Sequence, residues 1–296
     1  MRTATSALRT LLDSKVALGT ADLYTITLLD GTILRWASTD DDIYMDGNTF
    51  SAAGPIVERS TWSMTQKMEV PTLDLRILAS NDAAFDIGGV NIKSLAHNLG
   101  FDGATVRLQR IFWPADGPWG DTTTGLGSIT LFIGPVGSVQ INSTGIVIKA
   151  KGANVIFNQK FPRNVYQPSC VNTLFDGACT ISRVANTHSA AVGSGSNTVV
   201  LQFSGGTAPI PVASLLLGTV QFTSGPNNGV SRSIKAVASG PDVIRFSYPL
   251  EFTPGIGDTV TVTVGCDKTP GVCAARFSNL DNFRGFPYVP QSSIAF

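Results

Sequence analysis

The chain has 296 residues, and its 21 basic and 21 acidic side chains cancel. Charged residues make up 14% of the chain, against roughly 25% in an average soluble protein. Nucleic-acid binding depends on clustered lysines and arginines that displace counterions from phosphates, and no such run occurs, which argues against this class. The length predicts two domains, and a weakly charged chain rich in glycine, serine and threonine suits a subunit of an assembly.

The first segment predicts a short amphipathic helix. One helical face collects four apolar residues: Ala4, Leu8, Leu11 and Leu12. Arg9 and Asp13 interrupt the apolar stretch of this segment, so we expect no signal peptide. No run of 18 apolar residues occurs later, so we expect no membrane-spanning segment. We therefore expect a soluble protein that is made and kept in the cytosol, where cysteines are normally reduced.

Period-two alternation follows and predicts antiparallel strands. The segments DLYTITLLDGTILRW and IYMDGNTFSA predict hairpins that turn at Asp30 and Asp46. Four more strands are predicted in TLDLRIL, TVRLQRIF, SITLFIG and GIVIKA. In SITLFIG the alternation places Ile129, Leu131 and Ile133 on one face. Two other elements are predicted between these strands: a helical turn in NIKSLAHNLG, and a long aromatic loop at residues 112–125.

A change in composition marks the second half. The stretch VANTHSAAVGSGSNT is typical of a connector, and five short strands are predicted after it, at roughly ten-residue spacing. We therefore predict a mainly β fold with few short helices. Residues 1–165 would form an antiparallel β-sandwich or barrel domain, and residues 187–264 a smaller inserted β-barrel. Residues 166–186 and 265–296 would form one segment that flanks the insert.

All four cysteines lie in that flanking segment, in two pairs: Cys170, Cys179, Cys266 and Cys273. Independent buried thiols would explain neither the pairing nor the position of the pairs. Disulfides are sterically possible, but the expected reducing compartment disfavours them. A four-thiolate metal centre is the third interpretation. Zinc usually takes ligands from C-x2-4-C turns, whereas an iron–sulfur cluster accepts wider intervals, and spacing alone leaves both open.

Three segments, CVNTLFDGAC, GCDKTPGVC and FSNLDNFRGFPYVP, together resemble the tail-tip hub proteins of long-tailed phages. This group includes the phage lambda tail tip protein L and the hub proteins of gene transfer agents. LLDGTILRWASTDDDIYMDGNTFSAAGPI, LDLRIL, FDGATVRLQRIF and GSITLFIGPVGSV extend the resemblance over nearly the whole chain. The resemblance implies that Cys170, Cys179, Cys266 and Cys273 ligate a [4Fe-4S] cluster rather than zinc, in a structural role.

The same resemblance implies a structural, non-enzymatic hub in the virion tail tip, assembled in the host cytoplasm as a homotrimer. Its partners would be the distal tail protein ring, the central tail fibre or tip protein and the tape measure protein, with DNA only passing through the lumen. Two rival hypotheses remain. One is a ferredoxin-like redox protein, and the other is a tail-associated cell-wall or glycan hydrolase that uses a carboxylate pair such as Asp74 with Asp82.

The remaining polar residues predict little chemistry. Neither His97 nor His188 is paired with a nucleophile, and the acidic run at residues 40–42 lacks the ligand spacing of an EF-hand. The tail is expected to cover the cysteine site with three aromatic residues: Phe283, Phe286 and Tyr288. Arg284 is expected either to donate hydrogen bonds to cluster sulfurs or a neighbouring chain, or to remain an ordinary surface arginine.

Overall fold

The computed structural model describes residues 4–61, 70–78, 86–87, 90–116, 126–142, 144–158, 165–205, 210–238 and 242–289. The chain divides into two compact units, Met1–Gln159 and Lys160–Phe296. Both units are built mainly from strands, which confirms the predicted mainly β fold class. None of the helices in these ranges is long and apolar enough to cross a membrane.

The first unit contains two α-helices in its described part, α1 (Ser6–Asp13) and α2 (Ile92–His97), and a short 3₁₀ helix, Ala153–Asn158. Its strands are β1 (Leu18–Thr27), β2 (Ile33–Ala37), β3 (Ile43–Met45), β4 (Asn48–Phe50), β5 (Ile56–Arg59), β6 (Thr72–Leu78), β7 (Asp86–Ile87), β8 (Val90–Asn91), β9 (Thr105–Pro114), β10 (Ser128–Asn142) and β11 (Gly145–Lys151).

Seven of these strands form one antiparallel sheet, in the order β2-β1-β9-β10-β11-β6-β5. The main core lies on one sheet face, where alternate side chains such as Tyr24, Leu75 and Leu108 pack with Ile92 of α2. The hairpin β3–β4 contributes to a smaller core with Trp113. Residues 112–114 were predicted as loop, but they continue β9 and pair with β1.

The strand β10 shows where simple alternation fails. Its pairing with β9 shifts register between Thr130 and Phe132, so a β-bulge interrupts the strand. A one-residue shift exchanges the two faces of a strand. Phe132 is consequently 4% exposed and Ile133 is 47% exposed, so the predicted common face for Leu131 and Ile133 was wrong.

The second unit contains one α-helix in its described part, α3 (Pro270–Phe277), and three short 3₁₀ helices, Val184–Asn186, Val212–Leu215 and Leu280–Asn282. Its strands are β12 (Thr187–Val192), β13 (Val200–Ser204), β14 (Thr219–Phe222), β15 (Ser231–Ala238), β16 (Val243–Phe246) and β17 (Thr259–Thr263).

These six strands close into a barrel in the order β12-β13-β16-β15-β14-β17. Its interior is apolar and includes Leu201, Phe222, Ile244 and Val262. β12 was predicted as connector, because its sequence THSAAV is small and polar. It is a strand because β13 and β17 pair with its two edges, and its pairing with β17 closes the barrel.

An ion triad centred on the buried Asp22 crosses the first unit. Asp22 on β1 accepts hydrogen bonds from Arg110 Nε (2.7 Å) on the neighbouring β9, and from Arg59 Nε (2.6 Å) on β5. Because β5 is the edge strand at the far end of the sheet order, this contact joins distant parts of the sheet. Burial alone would raise the pKa of Asp22, but the hydrogen bonds from the two arginines outweigh it and hold the pKa below its ordinary value.

We predict that Asp22→Asn lowers the free energy of unfolding of the first unit by about 2 kcal/mol at pH 7, because hydrogen bonds to charged groups are lost. The lowered pKa means that the stabilisation is complete above the unfolded-state pKa of about 3.9 and is lost as the pH falls through the folded-state value. The pH dependence below about pH 4 should therefore be weaker in the variant than in the wild type.

Urea unfolding followed by tryptophan fluorescence measures this effect, since all four tryptophans lie in residues 1–159. Asp74→Asn is the matched control. Its pair with Lys149 spans 3.9 Å and both side chains are more than 40% exposed, so we expect a loss below about 1 kcal/mol. Equal losses in the two variants would contradict a special role for the triad.

Candidate metal centre

The four cysteines line one cavity of the second unit. Four apolar side chains also line it: Leu174, Ile181, Phe277 and Phe283. Each cysteine is a free thiol. The structure therefore brings together two cysteine pairs that are separated by the whole barrel in sequence.

Cys170 and Cys179 are positioned by backbone contacts and a tight turn. The Cys170 N–H donates to the Lys268 carbonyl (2.9 Å), which ties the first pair to the segment that carries the second pair. Asp176 builds the turn before Cys179, because its carboxylate accepts the N–H groups of Thr173 (2.8 Å), Ala178 (3.1 Å) and Cys179 (2.6 Å). Such local carboxylate–backbone bonds are the usual way in which an aspartate fixes a turn.

Cys266 and Cys273 are positioned by the barrel and by α3. Cys266 lies three residues after β17, and Cys273 lies within α3. The helix starts there because Thr269 caps it, with its hydroxyl accepting the Val272 N–H (3.3 Å), and Pro270 occupies the first turn. The pair Thr269-Pro270 is a helix-start signal that can be read from the sequence, but no helix was predicted there.

Arg276 joins this helix to the barrel. Its guanidinium donates to the Gly265 carbonyl (2.6 Å), next to Cys266, and to the Ser214 carbonyl (3.3 Å) in the 3₁₀ helix Val212–Leu215. The helix carrying Cys273 is thus fixed to the end of β17 that carries Cys266. No sequence motif predicted this contact.

Backbone amides face two of the sulfurs. Lys268 N–H donates to Cys266 Sγ (3.3 Å), and Arg284 N–H donates to Cys170 Sγ (3.4 Å). Hydrogen bonds of this kind stabilise negative charge on cysteine sulfur and are typical of iron–sulfur sites. Arg284 therefore serves the site through its backbone, while its guanidinium donates to the carbonyls of Asp281 and Phe283.

The cavity disfavours bare thiolates at two positions. Burial raises the pKa of the Cys273 thiol, and the three neighbouring cysteines raise it further. Burial likewise raises the pKa of Cys266, and the Lys268 N–H only partly opposes the effect. Four thiolates in this cavity would need a compensating positive charge, which a soft metal ion or an iron–sulfur cluster supplies.

The four cysteines give the cavity a donor set of four sulfur atoms, which suits a soft metal centre. Within the described ranges, no three histidine, cysteine or acidic side chains converge closely enough to hold one metal ion. Four cysteine ligands are found both in iron–sulfur clusters and in tetrahedral zinc sites.

The predicted aromatic cover is only partly present. Phe283 lines the cavity, but Phe286 is 46% exposed and stacks edge-on against Tyr166, with ring centroids 4.5 Å apart. Tyr288 is 96% exposed, so the prediction that it covers the site was wrong. The tail turns away from the cavity because the Phe286 N–H donates to the Gln167 carbonyl (2.8 Å).

None of the other candidate residues that the structure describes is among the lining residues of this cavity. His97 ends α2 and His188 lies on β12, while residues 40–42 form an exposed loop between β2 and β3. Asp74 lies on β6 beside Lys149. Its suggested partner Asp82 lies outside the described residues.

The comparisons with known proteins identify the family. A family model described as "Baseplate hub protein, N-terminal attachment domain" matches residues 5–182. The chain belongs to the baseplate hub protein family. A second model, described as "Phage conserved hypothetical protein BR0599", matches residues 215–293, so each model contains one cysteine pair of the hub protein. The hub protein is therefore a structural component of a phage-type virion.

A solved structure shares the fold of the hub protein. It is a chain from the "Virion of native gene transfer agent (GTA) particle", with a TM-score of 0.71 and 22% sequence identity. The match covers 99% of the hub protein and 96% of that chain, so the fold agrees over both units. No curated protein matches the hub protein.

We predict that Asp176→Ala loosens the turn before Cys179, because three backbone N–H groups lose their acceptor. Hydrogen exchange of a peptide spanning residues 173–180 should become at least several-fold faster in the metal-free protein. Asp281→Ala removes the same charge elsewhere in the segment and should leave this peptide unchanged. Equal exchange in both variants would show that the turn does not depend on Asp176.

Proposed function

We propose that the hub protein holds a [4Fe-4S] cluster through Cys170, Cys179, Cys266 and Cys273. The observation that carries the proposal is the single cavity bordered by all four sulfurs. When bound, the cluster would supply four iron–sulfur bonds that cross-link the segment before the barrel to the segment after it. The apolar lining would limit the access of water and oxidants to those bonds.

Zinc is the weaker alternative. Zinc usually takes its cysteine ligands from C-x2-4-C turns, whereas the intervals in this chain are C-x8-C and C-x6-C. An electron-transfer role is also weaker, because membership of a structural hub family gives the cross-link a direct use. We therefore assign the site a structural role and the protein no enzymatic activity.

For assembly, we propose that the hub protein forms a homotrimeric ring in the tail tip. The ring would connect the distal tail protein ring to the central tail fibre or tip protein and would contact the tape measure protein. DNA would only pass through its lumen, in keeping with a chain whose basic and acidic side chains cancel. Membership of the baseplate hub family supports this role.

The cluster proposal predicts that protein purified without oxygen is brown and contains about four iron and four sulfide per chain. Aerobic handling must be avoided, because oxidation of cysteine ligands releases clusters. Expression in zinc-supplemented and iron-supplemented media separates the two metals. Stoichiometric zinc without iron from both media, or thiols that oxidise to disulfides without any bound metal, would overturn the assignment.

Cys273→Ser tests the structural role. Cys273 lies in α3, which Arg276 joins to the barrel, so loss of this ligand should loosen the connection between the two cysteine segments. We expect lower iron content and few completed tails, counted by electron microscopy of particle preparations. Normal numbers of infectious tails with this variant would show that the site is dispensable.

The trimer proposal is tested by native mass spectrometry of the full chain, alone and mixed with purified distal tail protein. We expect a species of three copies in at least the mixture, because ring contacts stabilise the assembled form by mass action. A hub protein that remains monomeric in the mixture while binding its partner would contradict a homotrimer.

A further inference from the structure

We propose that Asn279 is the positioning residue of the four-cysteine site, a role that rests on the proposed function. It would hold one cysteine of each pair in place before any metal binds and then donate a hydrogen bond to the Cys179 sulfur. Asn279 is 9% exposed and lines the cavity.

The side chain of Asn279 reaches the first cysteine pair. Its Nδ2 donates to the Cys179 carbonyl and lies 4.0 Å from Cys179 Sγ. A carbonyl only accepts hydrogen bonds, so this contact fixes which end of the amide faces Cys179. An amide has two N–H groups, and one can bond the carbonyl while the other points towards the sulfur.

The backbone of Asn279 reaches the second pair. After α3 ends, Ser278 takes a left-handed conformation (φ 48°) that turns the chain back over the helix. The Asn279 N–H then donates to the Cys273 carbonyl (3.2 Å), and the Asn279 carbonyl accepts from Cys273 Sγ (3.3 Å). A single residue therefore contacts cysteines that are 94 positions apart, Cys179 and Cys273.

A second asparagine holds Asn279 in this position. Asn282 Nδ2 donates to Asn279 Oδ1 (2.7 Å) and to Thr180 Oγ1 (3.1 Å), next to Cys179. The two cysteine segments are thus joined by hydrogen bonds, and a group that binds the site would find Cys179 and Cys273 already in place.

The donor to Cys179 also has an electronic consequence. Hydrogen bonds to cysteine sulfur stabilise the more negative, reduced state of an iron–sulfur cluster and so raise its reduction potential. Removing the Asn279 amide should therefore lower the potential. A residue that acted only as packing would leave it unchanged.

The test compares Asn279→Leu with Asn172→Leu in the full chain. Asn172 lines the same cavity, but its amide donates to the Asn282 carbonyl (3.1 Å). In metal-free protein, Asn279→Leu should speed hydrogen exchange around Cys179 roughly tenfold, the effect of losing about one hydrogen bond, and Asn172→Leu should have a smaller effect. In iron-loaded protein, only Asn279→Leu should lower the reduction potential.

Asn279→Asp provides a second variant in case Asn279→Leu does not fold. It keeps an oxygen for Asn282 but loses both N–H donors and adds a negative charge, so its reduction potential should also fall. Equal exchange in Asn279→Leu and Asn172→Leu, together with an unchanged potential in the Asn279 variants, would overturn the proposal. If wild-type protein bound no iron, the cluster proposal would fail, whereas the exchange measurement would still decide whether Asn279 positions Cys179.

Discussion

The pairing of β12 with β17 is the interaction on which the four-cysteine site depends. It sets Thr187 opposite Thr263, and their hydroxyls hydrogen-bond at 2.9 Å. Cys179 precedes this pair by eight residues and Cys266 follows it by three. Closing the barrel therefore brings the two cysteine segments together. The apolar core and strand ladder of the barrel supply the free energy for this step.

Coupling between the barrel and the site works in both directions. The Arg276 hydrogen bond fixes α3 to the end of β17. The hydrogen bond from the Cys170 N–H to the Lys268 carbonyl joins the two cysteine segments. By linkage, any group that binds only the assembled site stabilises the barrel that assembles it.

Sequence patterns predicted those elements whose signal is local. Alternating apolar residues identified β6 and β17. The Asp46-Gly47 turn joins β3 to β4 with both residues at positive φ, as predicted for a two-residue hairpin. β12 was missed because its strand character comes from its neighbours and not from its small residues. The predicted face of Ile133 was wrong for a similar reason. The β10 bulge changes the face on which Ile133 lies, and only the pairing with the partner strand reveals such a register shift.

The same distinction explains what could be foreseen of the site. Four cysteines flanking one insert point to a shared centre, but the contacts of Asn279 with Cys179, across 100 positions, leave no trace in the spacing. The same network joins the two cysteine segments to each other, so it shapes the site for any soft metal centre that four thiolates can hold.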